Sequence, residues 1–163
     1  MFQKLHIKKI IILFCIIIFF KLPLNAENPT PQKTTELPFD VLPTTKIIYL
    51  DVWASWCAPC KASFPFLNKL HQDFSSKGLQ VIGYNVDNKK EDATKFLSQI
   101  PANFTILYDE NKKQFLEKMK LKTMPTSYIL DAKGNILSIH QGFTNASSNK
   151  IYQEIETLLN KNQ

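Results

Sequence analysis

The 163-residue chain contains no arginine, although its 20 lysines outnumber its 14 acidic residues and give a net charge of +6. Four lysines lie within the first 26 residues, which hold no acid, so 16 lysines and 14 acids leave only +2 from residue 27 onward. A near-neutral domain without arginine gives no support for nucleic-acid binding. The length accommodates one domain with a full core. We expect a monomer, because the sequence shows no second apolar surface.

An apolar run long enough to cross a bilayer is also missing. The longest run covers residues 10–20. Even extended to residue 24 it makes roughly 22 Å of helix, which is short for a hydrocarbon core of ~30 Å. Lys4, Lys8 and Lys9 precede this run, and Leu24-Asn25-Ala26 offers a cleavage site before Glu27. Residues 1–26 are therefore predicted to be a signal peptide or, alternatively, a retained N-terminal membrane anchor. Either one places the domain in the periplasm or on the extracytoplasmic face of the inner membrane.

Residues 27–44 contain four prolines among Thr, Asn and Gln, which predicts an extended linker. The predicted domain, residues 45–163, alternates strands and helices. Near-continuous apolar runs predict buried strands, and helical spacing of apolar residues predicts amphipathic helices. We predict strands at 46–53, 79–86, 104–108, 126–130 and 136–140, and helices at 59–77, 89–99, 110–119 and 147–160. This order, which ends in a hairpin and a helix, predicts an α/β fold with a central mixed sheet and helices on both faces.

Cysteine is scarce. Of three cysteines, Cys15 lies inside the apolar run and is interpreted as a hydrophobic residue. Cys57 and Cys60 remain, in the stretch WASWCAPCKASFP at residues 53–65. A structural metal site normally needs four ligands, and His71 and His140 are isolated in sequence, so a metal site is disfavoured. A structural disulfide is disfavoured as well, because a loop of this size restricts the unfolded chain very little.

A redox pair is the interpretation that the local pattern favours. The two cysteines lie between an apolar strand and the start of a helix. Cys57 would sit at the first turn, where unpaired backbone N–H groups and the helix dipole stabilise a thiolate. Residues three apart share one helical face, so Cys60 could attack a mixed disulfide formed on Cys57. We therefore predict Cys57 as the exposed nucleophile and Cys60 as the buried resolving thiol, with no metal or organic cofactor.

Three features together resemble the thioredoxin superfamily, and more closely its exported thiol–disulfide oxidoreductases of the TlpA/ResA type. The first is LDVWASWCAPCK at residues 50–61, together with Pro65. The second is MPTSY at residues 124–128, which is similar to the loop that carries the family's cis-proline. The third is Gly142, after the hairpin. The resemblance runs from about residue 47 to 159. It implies a thioredoxin-like fold in which residues 88–108 form a helix–strand insertion.

The resemblance also implies site residues. Pro125 would be cis and would face the cysteines, holding Met124 against them and leaving backbone groups free for a substrate strand. Trp56 would belong to an apolar docking surface, while Trp53 is the better candidate for the core. The implied catalytic set is Cys57, Cys60, Asp51 and Pro125, and the implied substrate-binding set is Trp56, Ala58, Pro59, Met124 and Thr126.

Asp51 interrupts the apolar strand KIIYLDVW, where an acid is costly to bury without a partner. It matches the family's buried acid behind the resolving cysteine. Burial should raise its pKa, so that it could accept the proton of Cys60. An exposed position at a sheet edge is the alternative. Classical thioredoxins place a lysine near this acid, whereas alignment of residues 85–87 puts Gly83 there.

The resulting prediction is an exported reductase of protein disulfides. The resemblance implies that a membrane-embedded thiol reductase supplies its electrons. Its clients would be apocytochrome haem-binding cysteines, copper-site cysteines of a respiratory oxidase or other periplasmic thiols. One alternative is a dithiol oxidase that donates disulfides. Another is a thioredoxin-like copper or haem chaperone, although the copper-assembly relatives have cysteines four apart with a partner histidine, and that spacing is absent here.

Overall fold

A computed structural model describes residues 39–108, 117, 119 and 121–161. The predicted signal or anchor at 1–26 lies outside these residues, as do most of the predicted linker and most of the predicted helix at 110–119. Among the residues described, no helix has the length and apolar character to span a membrane. The strands are β1 (Ile47–Trp53), β2 (Leu79–Asn85), β3 (Thr105–Tyr108), β4 (Thr126–Asp131) and β5 (Ile136–Gln141), and the helices are α1 (Ala58–Phe74), α2 (Lys90–Gln99) and α3 (Asn145–Lys161).

The five strands form one mixed sheet in the order β3-β2-β1-β4-β5. β1 pairs parallel with β2 and antiparallel with β4, β2 pairs parallel with β3, and β4 and β5 form the antiparallel hairpin. All seven residues of β1 are buried, as its continuous apolar sequence predicts for the middle strand of a sheet. The helix and strand expected at 88–108 are α2 and β3.

Side chains of β1 alternate between two apolar clusters on opposite faces of the sheet. Tyr49 and Trp53 point into a cluster that includes Phe64 of α1, Phe96 of α2 and Ile155 of α3. The other face carries Ile48, Leu50 and Val52, and it packs against the helical residue Met119 and against Phe39 and Val41. Helical residues therefore cover both faces, which confirms the predicted architecture.

The last residues of the predicted linker are hydrogen-bonded to β2. The Gln80 side chain accepts hydrogen bonds from the Leu42 N–H (3.1 Å) and the Thr45 hydroxyl (2.8 Å), and it donates one to the Asp40 carbonyl (3.0 Å). These bonds hold the end of the predicted linker against β2.

Candidate functional site

The two cysteines of the predicted redox pair are joined by a disulfide at the N-terminus of α1. Cys57 is the N-cap residue, and its Sγ accepts a hydrogen bond from the Cys60 N–H at 3.2 Å. Pro59 occupies the first turn, where its missing N–H costs nothing. In the reduced protein, the same N–H and the helix dipole would stabilise a Cys57 thiolate.

The predicted exposure of Cys57 was wrong. Only 5% of Cys57 is accessible in the disulfide form, against 0% of Cys60. The reason is its position as a cap, because the side chain turns onto the first helical turn instead of into solvent. The order of accessibility still holds, since Cys57 lines an open groove and Cys60 lies behind it in the core.

That groove has a volume of about 620 Å³. Its lining includes four of the predicted substrate-binding residues, Trp56, Ala58, Pro59 and Met124. Trp56 is 70% exposed, whereas Trp53 is fully buried, as expected for a docking and a core residue respectively. Local sequence does not reveal that the segment after β2 meets the loop before β4. These two segments supply four further lining residues, Val86, Leu121, Lys122 and Thr123.

The loop before β4 contains the cis peptide bond Met124–Pro125, as the resemblance implies. The Pro125 carbonyl accepts a hydrogen bond from the Gly142 N–H at 2.8 Å, which ties this loop to the end of the β4–β5 hairpin. Thr126 does not line the groove. It is buried, and its hydroxyl donates to the Thr123 carbonyl at 2.7 Å, so it holds the loop in shape.

Asp51 is buried in β1, which excludes the alternative of an exposed edge position. Its side chain points to the same face as Tyr49 and Trp53, the face against which Cys60 packs. The Ser127 hydroxyl donates a hydrogen bond to Asp51 Oδ1 at 2.7 Å. Burial raises the pKa of Asp51 to about 7, and the bond from Ser127 partly opposes that rise. Within the described part of the chain, the buried Oδ2 has no hydrogen-bond partner.

Gly83 explains why no lysine accompanies this acid. It lies directly opposite Asp51 in the β1–β2 register. A Cβ at this position would approach Ile106 Cδ1 to 2.9 Å, and Phe104 Cε2 and Trp53 Nε1 to 3.0 Å. The volume that a lysine would need is therefore filled by the core.

A second buried acid, Asp87, supports the loop that precedes Cys57, and the sequence motifs do not point to this role. Its carboxylate accepts hydrogen bonds from the Ser55 N–H (2.9 Å), the Ser55 hydroxyl (2.9 Å) and the Asn85 side-chain amide (2.8 Å). The sequence does place an acid two residues beyond the end of the buried strand β2, a position that favours a structural role. These bonds fasten the segment between β1 and α1 to the end of β2.

The described residues contain no group of three or more His, Cys, Asp or Glu side chains arranged to hold a metal ion. The site brings together a cysteine pair, the buried Asp51 carboxyl and an apolar groove.

Comparison with known proteins places this site in a family. The Redoxin family matches residues 20–155. The thiol-disulfide oxidoreductases ResA of Bacillus subtilis and Oceanobacillus iheyensis are 27% and 30% identical over 97 residues, which cover 60% of this chain and 54% and 50% of theirs. The chain thus spans about half the length of these curated relatives.

Solved structures show the same fold. A protein described as a thiol:disulfide interchange protein DsbE from Chlorobium tepidum is 43% identical with a TM-score of 0.67, over 71% of this chain and 82% of that one. A thiol:disulfide interchange protein from Bacteroides sp. is 22% identical with a TM-score of 0.63, over 72% and 75% of the two chains. The fold is thioredoxin-like, and the chain belongs to the Redoxin family.

Proposed function

We propose that this chain is an exported thiol–disulfide oxidoreductase that reduces protein disulfides through Cys57 and Cys60. The observation that carries the proposal is the position of the pair. Cys57 Sγ accepts a hydrogen bond from the Cys60 N–H in the first helical turn and borders an open groove, while the Cys60 side chain is fully buried. The names of the ResA relatives and of the Chlorobium tepidum protein support the same activity.

The chemistry follows from the two positions. The Cys57 thiolate attacks one sulfur of a client disulfide, and the other client sulfur leaves with the electron pair of the broken bond. Cys60 then attacks Cys57 Sγ and transfers its proton to Asp51. The second client sulfur leaves, the Cys57–Cys60 disulfide forms, and two electrons have passed to the client.

The groove favours an extended, partly apolar client segment. Trp56 and Met124 offer apolar contacts beside Cys57, and Lys122 adds a positive charge among the lining residues. The clients would be apocytochrome haem-binding cysteines, copper-site cysteines of a respiratory oxidase or other periplasmic thiols. Residues 1–26 would deliver the domain to the periplasm, where a membrane-embedded thiol reductase would return the disulfide to the dithiol.

The direction of electron flow is tested by the reduction potential of the pair. The full-length chain in mild detergent would be equilibrated with defined thiol buffers, and the fluorescence of Trp53 and Trp56 would report the state of the cysteines. We expect a value near or below about −270 mV, as for thioredoxin. A Cys57→Ser variant is the control and should show no transition.

Two other results would change the proposal. A value near about −120 mV, that of a strong oxidant, would make the protein a disulfide donor. The absence of a reversible two-electron transition would contradict the redox function itself.

A further inference from the structure

The groove beside Cys57 is lined by nine described residues, and the charged one among them is Lys122. Another part of the lining comes from the start of α1, where Ala58 and Pro59 are uncharged and the first helical turn contains no acidic residue. A polypeptide segment that enters the groove therefore meets a lysine but no acidic side chain in the described lining.

Hydrogen bonds fix the backbone on both sides of Lys122. The Tyr128 hydroxyl donates to the Met119 carbonyl at 2.8 Å, on the N-terminal side of the lysine. The Thr126 hydroxyl donates to the Thr123 carbonyl at 2.7 Å, on its C-terminal side. Both donors belong to β4, so the sheet itself holds the loop that carries Lys122 at the groove.

The charge of Lys122 has no described counter-ion. Its side chain is exposed, and no acidic side chain in the described part of the chain forms an ion pair with it, whereas Lys69 is paired with Asp73 at 2.7 Å. Asp87 follows the groove residue Val86, but it is buried and its carboxylate is bonded to Ser55 and Asn85. The ammonium group of Lys122 is thus available to a group that enters the groove.

Lys122 is placed to act on client residues that lie close to the reacting cysteine. It lines the same groove as Cys57, and that groove has a volume of about 620 Å³. An extended segment advances about 3.3 Å per residue, so residues within three positions of the client cysteine lie within about 10 Å of it. The long, flexible side chain of lysine can follow a carboxylate over part of that distance.

We propose that Lys122 favours client segments that carry a carboxylate within three residues of the reacting cysteine, beside apolar residues that contact Trp56 and Met124. This inference rests on the proposed exchange at Cys57 and narrows its clients to acidic, partly apolar segments. An exposed lysine attracts a carboxylate before the client has docked. The charge should therefore act mainly on the rate of association, and salt should weaken its effect.

Matched peptides test this selectivity. Acetylated and amidated peptides of leucine and glycine would carry one cysteine as a mixed disulfide with 2-nitro-5-thiobenzoate. They would differ only in having Glu, Gln or Lys at one position within three residues of the cysteine. The Cys57 thiolate attacks the peptide sulfur, and the coloured thiolate leaves with the electron pair of the broken bond. Cys60 then attacks Cys57 Sγ and frees the peptide thiolate.

The measurement is the rate constant of colour release by the reduced full-length chain in non-ionic detergent, with Cys15→Ala to remove the third thiol. In low salt the Glu peptide should react about two- to fivefold faster than the Gln peptide, and the Lys peptide more slowly than both. The advantage should shrink between about 0.01 M and about 1 M salt, because the Debye length falls from about 30 Å to about 3 Å. Lys122→Gln should bring the ratio of the Glu and Gln rates close to one, and Lys122→Glu should invert it.

Lys133→Gln and Lys133→Glu are the matched controls. Lys133 is also exposed, but it lies in the turn between β4 and β5, at the other end of β4 from the loop that carries Lys122. These variants change the net charge by the same amounts and should keep the rate ratio of the parent protein. An equal loss of preference in the Lys122 and Lys133 variants would assign the effect to net charge and overturn the inference.

The remaining outcomes separate this inference from the function on which it rests. If the parent protein releases the coloured thiolate from the Glu and Gln peptides at the same rate, Lys122 does not select clients, and the exchange at Cys57 stands. If the parent protein releases it no faster than a Cys57→Ser/Cys60→Ser variant, the proposed function itself fails.

Discussion

Asp51 links protonation to the stability of the fold. Its pKa rises from 3.8 to about 7 because it is buried. Between these values the folded protein holds a proton that the unfolded chain has lost, so the free energy of unfolding should fall as pH rises. The slope approaches about 1.4 kcal/mol per pH unit and levels off above pH 7. Asp51→Asn removes this decline, so the stability of the variant relative to the parent protein should increase between pH 4 and pH 8, on the order of 4 kcal/mol in total.

Urea unfolding of the oxidised proteins across this pH range measures the effect. Asp73→Asn is a control of opposite sign, because hydrogen bonds from Lys69 and Tyr152 lower the pKa of the partly exposed Asp73. The stability that Asp73 contributes is fully present above the pKa that Asp73 has in the unfolded chain, and it is lost as pH falls through the lower pKa of the folded protein. Parallel profiles for Asp51→Asn and the parent protein would contradict the raised pKa of Asp51.

At the residue scale, the sequence was informative where chemistry is local. The placement of Cys57 and Cys60 follows from a strand that runs directly into a helix, and the burial of Asp51 follows from its apolar neighbours. The accessibility of Cys57 was not predictable, because it depends on which way a capping side chain turns. The partnership of Ser127 with Asp51 depends on strand register across 76 residues of chain.

At the level of elements, the loop between β1 and α1 depends on Asp87. Asp87→Ala would remove the acceptor for both groups of Ser55 and for the Asn85 amide. Three polar groups would lose a charged partner in a largely buried site. We expect a loss of about 2–4 kcal/mol in the free energy of unfolding.

Urea unfolding at pH 7 would measure the effect of Asp87→Ala. Ser55→Ala is the matched control, because it removes one hydroxyl bond but keeps the backbone bond to Asp87, and it should cost about 1 kcal/mol. An Asp87→Ala loss no larger than that of Ser55→Ala would show that the carboxylate does not hold the loop.

Element boundaries were predicted within a few residues where an apolar run or a cap marks them. The strand predicted at 46–53 is Ile47–Trp53, and α1 ends at Phe74 with a 3-10 turn, Ser75–Lys77, before Gly78. Gly78 has φ +103°, the left-handed conformation expected of a helix C-terminal glycine. The hydrogen bonds that hold residues 40–45 were not predictable, because they come from Gln80 on β2, which lies far along the chain.

At the scale of the whole molecule, family and architecture were predictable because two motifs stand in the expected order with the right elements between them. The direction of electron flow was not predictable, because the reduction potential that sets it depends on a difference between two large free energies. The helix N-terminus stabilises a Cys57 thiolate by about 0.3–2 kcal/mol, which favours the reduced form. The folded chain also holds Cys57 and Cys60 next to each other at the start of α1, so the disulfide closes with a smaller loss of chain entropy than in the unfolded chain, which favours the oxidised form.

The second effect should prevail, so the oxidised protein should be the more stable form. Unfolding and reduction form a thermodynamic cycle. The difference in unfolding free energy between the oxidised and reduced forms therefore fixes the difference in reduction potential between the folded and unfolded chain. About 30 mV corresponds to each 1.4 kcal/mol. A reductant must therefore unfold at higher urea when oxidised, and we expect a difference of at least about 1 kcal/mol. Urea unfolding with and without excess dithiol at pH 7 measures it, and a Cys57→Ser/Cys60→Ser variant should give identical curves. Greater stability of the reduced form would instead identify a disulfide donor, because stabilisation of the thiolate by the helix N-terminus would then outweigh the advantage of holding the two cysteines together.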